Sequence, residues 1–497
     1  VKNFMNGDSY TCDPLTTLKL VTASSIYGEP SYYRNSGMKG NDGVYRQDAL
    51  VNKYSVFPLW MKGKTTTQIM EQAIDEALSY DFEATLNWAV TLRNDFYMRL
   101  NPQVIMVRAS QHPGRKDFTE KNPGKFDEIN QKVMFRADDP LSQLSYYIFK
   151  NGGKANMPSI LKRSIATKLS KLTPYEVAKY KNADMGIQNA VFLTHAFSAP
   201  IDELVKTGTV AVDESQKTWE NLRSEGKSWK EIFNTINMGH MALLRNLRGV
   251  FTEVDDLDFC KKYLDRLKKG VEKGKQFPFR YWSAHQAVSS NNAVHHKSVI
   301  LDALEECMDI SMNNLPEIKG KTAVLSDNSG SAWGAIPSEY GTVTVAEIDN
   351  LSATIMACRS DEGVIIPFGD KISPIPASKR NGILSQVKEV NKQGHNVGMG
   401  TDLYGYDGNI RKKGFAIAKK GWGSADYINV MDLINAYRNK VNPKVNVMCV
   451  QTAGYNNVVV PENIYRGVIS YGWTGKEAIL LDKVTKIWDE TENQLNS

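Results

Sequence analysis

The stretch Val324 to Gly334, VLSDNSGSAWG, runs from apolar residues into Asp327, Ser329 and Ser331 at D-x-S-x-S spacing. One carboxylate and two hydroxyls from a single tight loop suit Mg²⁺, which takes few carboxylates, octahedral oxygen ligands and retained water. Gly330 lets the backbone turn sharply between the serines. A second loop, Gly398-Met399-Gly400-Thr401-Asp402, adds the Thr401 hydroxyl. The candidate ligands of Mg²⁺, or another divalent cation, are therefore Asp327, Ser329, Ser331 and Thr401. The competing reading is a Ser/Asp-capped turn from strand to helix without metal.

A second feature is charge. Residues 154 to 181 hold Lys154, Lys162, Arg163, Lys168, Lys171, Lys179 and Lys181 against one acid, Glu176, a local excess equal to the net +6 of the whole chain. Such a surface attracts polyanions, nucleic acid first among them. The plainer reading is a solvated helix face. The adjacent His295 and His296 point in different directions on any regular element and read as surface. Trp422 is either a stacking residue or a loop anchor. No Gly-rich phosphate loop, Ser-His-Asp order or paired carboxylates stand out.

The elements that must position these residues fall into two kinds. At 497 residues and 41% hydrophobic, the chain is long enough for two or three domains with cores of their own. TTQIMEQAIDEALSYDF places Met70, Ala73, Ile74, Ala77 and Leu78 on one helical face. MPSILKRSIATKLSKL does the same with Ile160, Leu161, Ile165, Leu169 and Leu172, leaving its lysines largely opposite. Thr173-Pro174-Tyr175-Glu176 is a capping-box start. SWKEIFNTI and MGHMALLRNLRGVF continue the pattern, and helix after helix predicts paired helices stacked as a solenoid. After Pro316 the period changes. KTAVLS, Gly363 to Phe368 and VNVMCVQT (445–452) read as buried strands, and AEIDNLSATIMAC as an amphipathic helix with Ile348, Leu351, Ile355 and Cys358 in register. This alternation predicts a doubly wound α/β domain, whose ligands bind at the carboxyl ends of strands. The predicted domains are 1–315, all-α, and 316–497, α/β.

The sequence also limits where the protein works. Five scattered cysteines, none in a C-x-x-C pair, suit a reducing cytosol. No apolar run approaches the ~18–20 residues of a membrane span. The start, VKNFMNGDSYTCD, has no apolar signal core. A cytoplasmic protein away from membranes is expected.

D-x-S-G-S followed by a G-T-D loop resembles a von Willebrand factor A domain with its metal-ion-dependent adhesion site. Leu18 to Arg34, Phe192 to Ala196 (FLTHA), Met241 to Arg248 (MALLRNLR) and Phe277 to Trp282 (FPFRYW) resemble a TROVE module. That order is the arrangement of the Ro autoantigen proteins, and the sparse matches point to a bacterial or phage member. The resemblance implies a ring of HEAT-like helical repeats closed by the A domain, acting as a ribonucleoprotein component in RNA quality control with no enzymatic activity. Small noncoding Y-like RNA would bind the outer surface. Single-stranded 3′ ends of misfolded RNA would pass through a basic central hole. A monomer is implied, and an exoribonuclease partner is left open. Carried over residue by residue, His195 matches a histidine that contacts Y RNA, and Lys179 with Lys181 match a basic pair. Arg245, Arg248 and Arg280 match family arginines, some of which could instead be buried against carboxylates. Together with Lys162, Arg163, Lys168 and Lys171 these are the candidate RNA contacts. The family pattern also has an Asp in a third metal loop, where this chain has Val450-Gln451-Thr452-Ala453-Gly454; Mg²⁺ would bind more weakly, with Asp402 compensating in part. The rival reading is a protein-binding adaptor that captures partners through that metal. A metal-dependent hydrolase lacks a visible general base.

Overall fold

The computed structural model describes residues 12–24, 29, 32, 59–61, 64–182, 185–213, 217–334, 336, 343–369, 373–397, 416–418, 427–429, 445–450, 462–464, 467–470 and 475–496. Two compact units emerge. One comprises Thr11–Asn52 and Phe57–Lys217; the other comprises Val1–Tyr10, Lys53–Val56 and Thr218–Ser497. The change from helix to strand comes later, between Asn314 and Ile318, so the helices from Trp219 onward group with the sheet.

The first unit is helical: α1 (Pro14–Ser24), α2 (Thr66–Tyr80), α3 (Phe82–Asn94), α4 (Asn101–Gln111), α5 (Arg115–Lys121), α6 (Lys125–Val133), α7 (Asp139–Asn151), α8 (Ser159–Leu169), α9 (Pro174–Tyr180), α10 (Ile187–Thr194) and α11 (Ala199–Thr207). Each helix packs on a near neighbour in sequence, α1 on α2, α3 on α4, α8 on α10 and α9 on α11. In α2 the predicted stripe of Met70, Ala73, Ile74, Ala77 and Leu78 is fully buried. Its start is a capping box, with Thr65 Oγ1 accepting from Gln68 N and Gln68 Oε1 accepting from Thr65 N. In α8 the buried stripe is narrower than the apolar pattern: Leu161, Ile165 and Leu169 are buried, whereas Ile160 is half-exposed. The predicted box at Thr173 starts α9, with Glu176 Oε2 accepting from Thr173 N at 2.9 Å.

A buried polar frame holds this unit together. Arg93 on α3 donates to Asp139 on α7 at 3.0 Å, both side chains being nearly inaccessible. Arg93 Nη1 also donates to the Met98 carbonyl. Beside the pair, Gln143 Nε2 donates to Gln103 Oε1 at 2.8 Å and to Asn130 Oδ1 at 2.7 Å, and Asn130 Nδ2 donates to Ser164 Oγ at 3.0 Å. This ladder crosses α4, α7, α6 and α8 and satisfies groups that would be costly to bury alone.

The second unit opens with α12 (Trp219–Ser224), α13 (Trp229–Thr235), α14 (His240–Glu253), α15 (Leu257–Lys269), α16 (Val271–Gly274), α17 (Pro278–Ser289) and α18 (Lys297–Ser311). The strands are β1 (Ile318–Asp327), β2 (Ser360–Phe368), β3 (Ile375–Pro376), β4 (Ala416–Ala418), β5 (Tyr427–Asn429), β6 (Val445–Val450), β7 (Glu462–Ile464) and β8 (Gly467–Ser470). Among them lie α19 (Gly330–Gly334), α20 (Val345–Arg359) and α21 (Ile383–Gly394), with α22 (Glu477–Asn496) last. The main sheet has the order β3-β2-β1-β6-β8-β7. Neighbours among β2, β1, β6 and β8 are parallel, and the two edge strands are antiparallel. β4 and β5 form a separate antiparallel pair. The parallel strands run outward in sequence order on both sides of β1, the doubly wound pattern.

Helix α20 departs from its expected amphipathic character. From Val345 to Cys358 every residue except Glu347 is buried, because β1, β2, α17, α21 and α22 all pack on it. Polar positions are bonded internally: Ser326 Oγ donates to Asn350 Oδ1 at 2.7 Å, and Thr354 Oγ1 donates to the Asn350 carbonyl at 2.7 Å.

Replacing Asp139 by Ala leaves the Arg93 guanidinium buried without its counter-charge. Stability should fall by about 3–5 kcal/mol, measured by urea unfolding followed through far-UV dichroism. A loss below about 1 kcal/mol, the range of an exposed pair, would remove Arg93–Asp139 from the frame.

Candidate functional site

The predicted cations of the first unit gather at α8, α9 and the turns beside them. Arg163, Lys171 and Lys179 are exposed; Lys162, Lys168 and Lys181 are half-buried. None of the six pairs with a carboxylate among the described residues, whereas Lys121, Lys132 and Lys206 each meet an acid one turn away. Lys179 Nζ stands 5.7 Å from the Tyr175 ring and 5.4 Å from the Tyr180 ring. These contacts fix its stem without neutralising its charge. Lys168 Nζ donates to the Phe135 carbonyl at 3.3 Å. His195 is exposed, not a core histidine. It ends α10 in the left-handed region, φ 59°, with its N–H donating to the Val191 carbonyl at 2.7 Å.

Arg245, Arg248 and Arg280 come together in the second unit. They line a cleft of about 500 Å³ between α14 and α17. Leu244, Arg245 and Arg248 share one face of α14; Arg280, Ser283, Ala284 and Ala287 share one face of α17, and the small side chains leave the space open. All three arginines are exposed and none pairs with a carboxylate among the described residues, so they are not buried structural arginines. The spacing of three and four residues was visible in the sequence; that the two helices are neighbours was not.

His240 ties the walls of this cleft together. Its Nε2 lies 2.6 Å from the Tyr281 hydroxyl, linking the start of α14 to α17. Gly274 at the end of α16 packs against the imidazole: a Cβ there would lie 2.5 Å from its Cδ2. Burial holds the His240 imidazole below its ordinary 6.5. His285 on α17 is lowered for the same reason, with Glu305 opposing and Lys388 assisting.

The D-x-S loop leaves the carboxyl end of β1. Asp327 pairs in register with Phe368 of β2, and Ser326 with Val450 of β6, so the loop sits where the strand order reverses. Asp327 is 5% exposed and Ser329 2%. Asp327 Oδ1 accepts from Ser329 N at 2.9 Å, closing the turn. Asn328 anchors it: its amide donates to the Ser326 carbonyl at 3.0 Å and to Asn350 Oδ1 at 2.8 Å. A Cβ on Gly394 would strike Asn328 Oδ1 at 2.0 Å. The side chain of Ser331, all of Thr401 and Asp402, and the loop after Val450 lie outside the described residues, as does Trp422. What is described supplies one carboxylate and one hydroxyl, hard oxygens of the kind Mg²⁺ takes. Among the described residues no group of three or more His, Cys, Asp or Glu side chains could hold a metal.

His295 and His296 do not point apart as a regular element would require. His296 is left-handed, φ 55°, and both rings face Asp255, at 3.7 and 3.1 Å. Burial pushes the thiols of Cys260 and Cys358 up to about 11, so they are neutral at physiological pH. No helix among the described residues is long and apolar enough to cross a membrane.

Comparison with known proteins agrees with this architecture. Residues 188–308 match the TROVE domain family model, from α10 to α18. Over that stretch the chain is similar to the TROVE domain. Its fold is similar to the crystal structure of Deinococcus radiodurans Ro (RSR) protein, at 13% identity and a TM-score of 0.57, over 83% of this chain and 93% of that one. The fold shared with that protein is a helical-repeat half followed by an α/β half. No curated protein matches it in sequence.

Because burial lowers His240 and His285 in the fold relative to the unfolded chain, the unfolded chain binds more protons as pH falls through the ordinary histidine range. Stability is therefore full above that range and declines below it. Thermal unfolding should show a lower Tm at pH 5.5 than at 7.5, and His240→Gln should shrink that difference. An identical pH dependence in the variant would dissociate His240 from it.

Proposed function

We propose that the chain is an RNA-binding ribonucleoprotein component. The observation that carries this is the set of uncompensated cations: Lys162, Arg163, Lys168, Lys171, Lys179 and Lys181 in one unit and Arg245, Arg248 and Arg280 in the other, without an acidic partner among the described residues. Surface lysines kept apart from carboxylates retain full charge for phosphates, which supply most of the affinity in nucleic-acid binding. On this reading the α8–α10 face takes a structured small RNA of the Y type, with His195 beside the lysines. The arginine cleft takes a single strand, its guanidinium groups meeting phosphates and its apolar wall meeting bases. The single strand would be the 3′ end of a misfolded RNA, and an exoribonuclease would act on ends presented in this way. The work is binding and positioning, in the cytoplasm, with no chemical step.

The α/β half acts as a von Willebrand factor A-type domain on the same reading. Asp327, Ser329, Ser331 and Thr401 would hold a hydrated Mg²⁺, whose role when bound is to offer a coordination position to a partner's oxygen. The register of β1, β2 and β6 supports this, because it puts Asp327 at the switch point of the sheet.

Two substitutions separate these roles. Lys179→Glu with Lys181→Glu should weaken binding of a structured RNA by roughly tenfold or more and lower the slope of log affinity against log salt by about 2, with the dichroism spectrum unchanged. Undiminished affinity at low salt would remove the α9 end from the interface. Asp327→Ala should abolish the heat of Mg²⁺ binding in titration calorimetry and leave RNA affinity intact. Loss of RNA binding as well would contradict independent sites.

A further inference from the structure

Two phenylalanines stand exposed where burial would be expected. Phe135 and Phe197 are each 72% exposed, and each lies on a short turn beside the carboxyl end of α8. Exposing a Phe forgoes the free energy its burial would contribute, so a pair of them on one polar face calls for a reason. Their backbones are tied to the same helix end. The Phe135 carbonyl accepts from Lys168 Nζ at 3.3 Å, and Phe197 N donates to Ser170 Oγ at 3.1 Å. The turn that carries Phe135 is fixed from below by Arg136 N, which donates to buried Asp139 Oδ2 at 2.7 Å. The Arg93 guanidinium lies 5.6 Å from the Phe135 ring centroid, backing a ring that is otherwise open to solvent. The turn that carries Phe197 begins at left-handed His195. Lys168 is thus hydrogen-bonded to the Phe135 turn, Lys171 follows Ser170, which holds the Phe197 turn, and His195 lies two residues before Phe197.

We propose that Phe135 and Phe197 are stacking platforms for unpaired bases of the bound RNA. The inference rests on the RNA-binding reading above and adds specificity to it. The rings supply flat apolar faces, the lysines supply charge at phosphate reach, and the turns are held rigid, so little ordering is needed on binding. A paired base already stacks within its own helix and has no free face. An unpaired one gains a partner here. This face therefore selects RNA with a bulge, loop or single-stranded flank over fully paired RNA of the same length. A protein partner would also cover exposed rings, but it would leave the surrounding cations without counter-charges unless it were acidic. A polyanion with aromatic bases satisfies both features at once.

The test uses the full chain and two hairpin RNAs of equal length, one with an unpaired bulge and one fully paired. A fluorescent adenine analogue is placed in the bulge. Phe135→Ala and Phe197→Ala should each weaken binding of the bulged RNA by about five- to a hundredfold and relieve the quenching of the analogue. Affinity for the paired RNA should stay unchanged, and Phe197→Tyr should restore binding and quenching. Both side chains are exposed, so truncation leaves the fold intact. Equal losses on the two RNAs, or no loss on either while Lys179→Glu with Lys181→Glu still weakens both, would overturn the stacking role and leave RNA binding standing. A wild-type chain that binds neither RNA would overturn the RNA-binding reading, and this proposal with it. Loss of a protein partner, with RNA binding untouched, would reassign the two rings to a protein interface.

Discussion

The first unit is organised around the buried pair of Arg93 and Asp139. An ion pair in this position does little for net stability, because taking both charges out of water offsets most of their attraction. Here burial outweighs the pull of Arg93 and raises the Asp139 carboxyl above its ordinary range. The contribution of the pair is geometric. Arg93 reaches α7 and the Met98 carbonyl; Asp139 reaches back to Arg136 N and fixes the turn after α6. The Gln103–Gln143–Asn130–Ser164 ladder then locks α8 against the same helices. A polar interior thus sets the pose of a polar surface. The lysines of α8 and the turns on either side of it are held from beneath by groups that cannot rotate without losing partners.

The second unit relies on close approach. Gly394 admits Asn328, and Gly274 admits His240, each where a methyl group would collide. The first contact shapes the loop after β1. The second clamps α14 to α17 and so shapes the arginine cleft. Both sites follow from backbone surrender of side-chain volume next to a polar residue whose hydrogen bonds then fix a loop or a helix pair.

Much of this was legible in the sequence, and the reason differs from one element to another. The α2 stripe and the Thr173 box were readable because helix period and capping are local. β1, β2 and β6 were readable as apolar runs, although β1 extends back to Ile318, beyond the KTAVLS core. The character of α20 was not. Its Asp349, Asn350 and Thr354 look like a solvent face and are instead buried, a fact decided by α21 and α22 arriving from far along the chain. Charge at residues 154 to 181 was plain from composition, but whether those lysines were neutralised depended on where acids lay in space. The shared orientation of His295 and His296 depended on a left-handed residue that sequence spacing cannot reveal. The exposure of Phe135 and Phe197 was not legible, because an isolated Phe between helices has no period to betray it.

On the proposed reading the uncompensated cations of α8 to α10 hold RNA. Ultraviolet crosslinking in the native cell, followed by sequencing of the RNA and mass spectrometry of the crosslinked peptides, tests it directly. The expected result is a small structured RNA together with frayed 3′ ends, and crosslinks within residues 135–197 and on the α14 and α17 peptides. Recovery of the protein free of RNA, with a metal-dependent protein partner bound instead, would contradict the claim and give the function to the Asp327 loop.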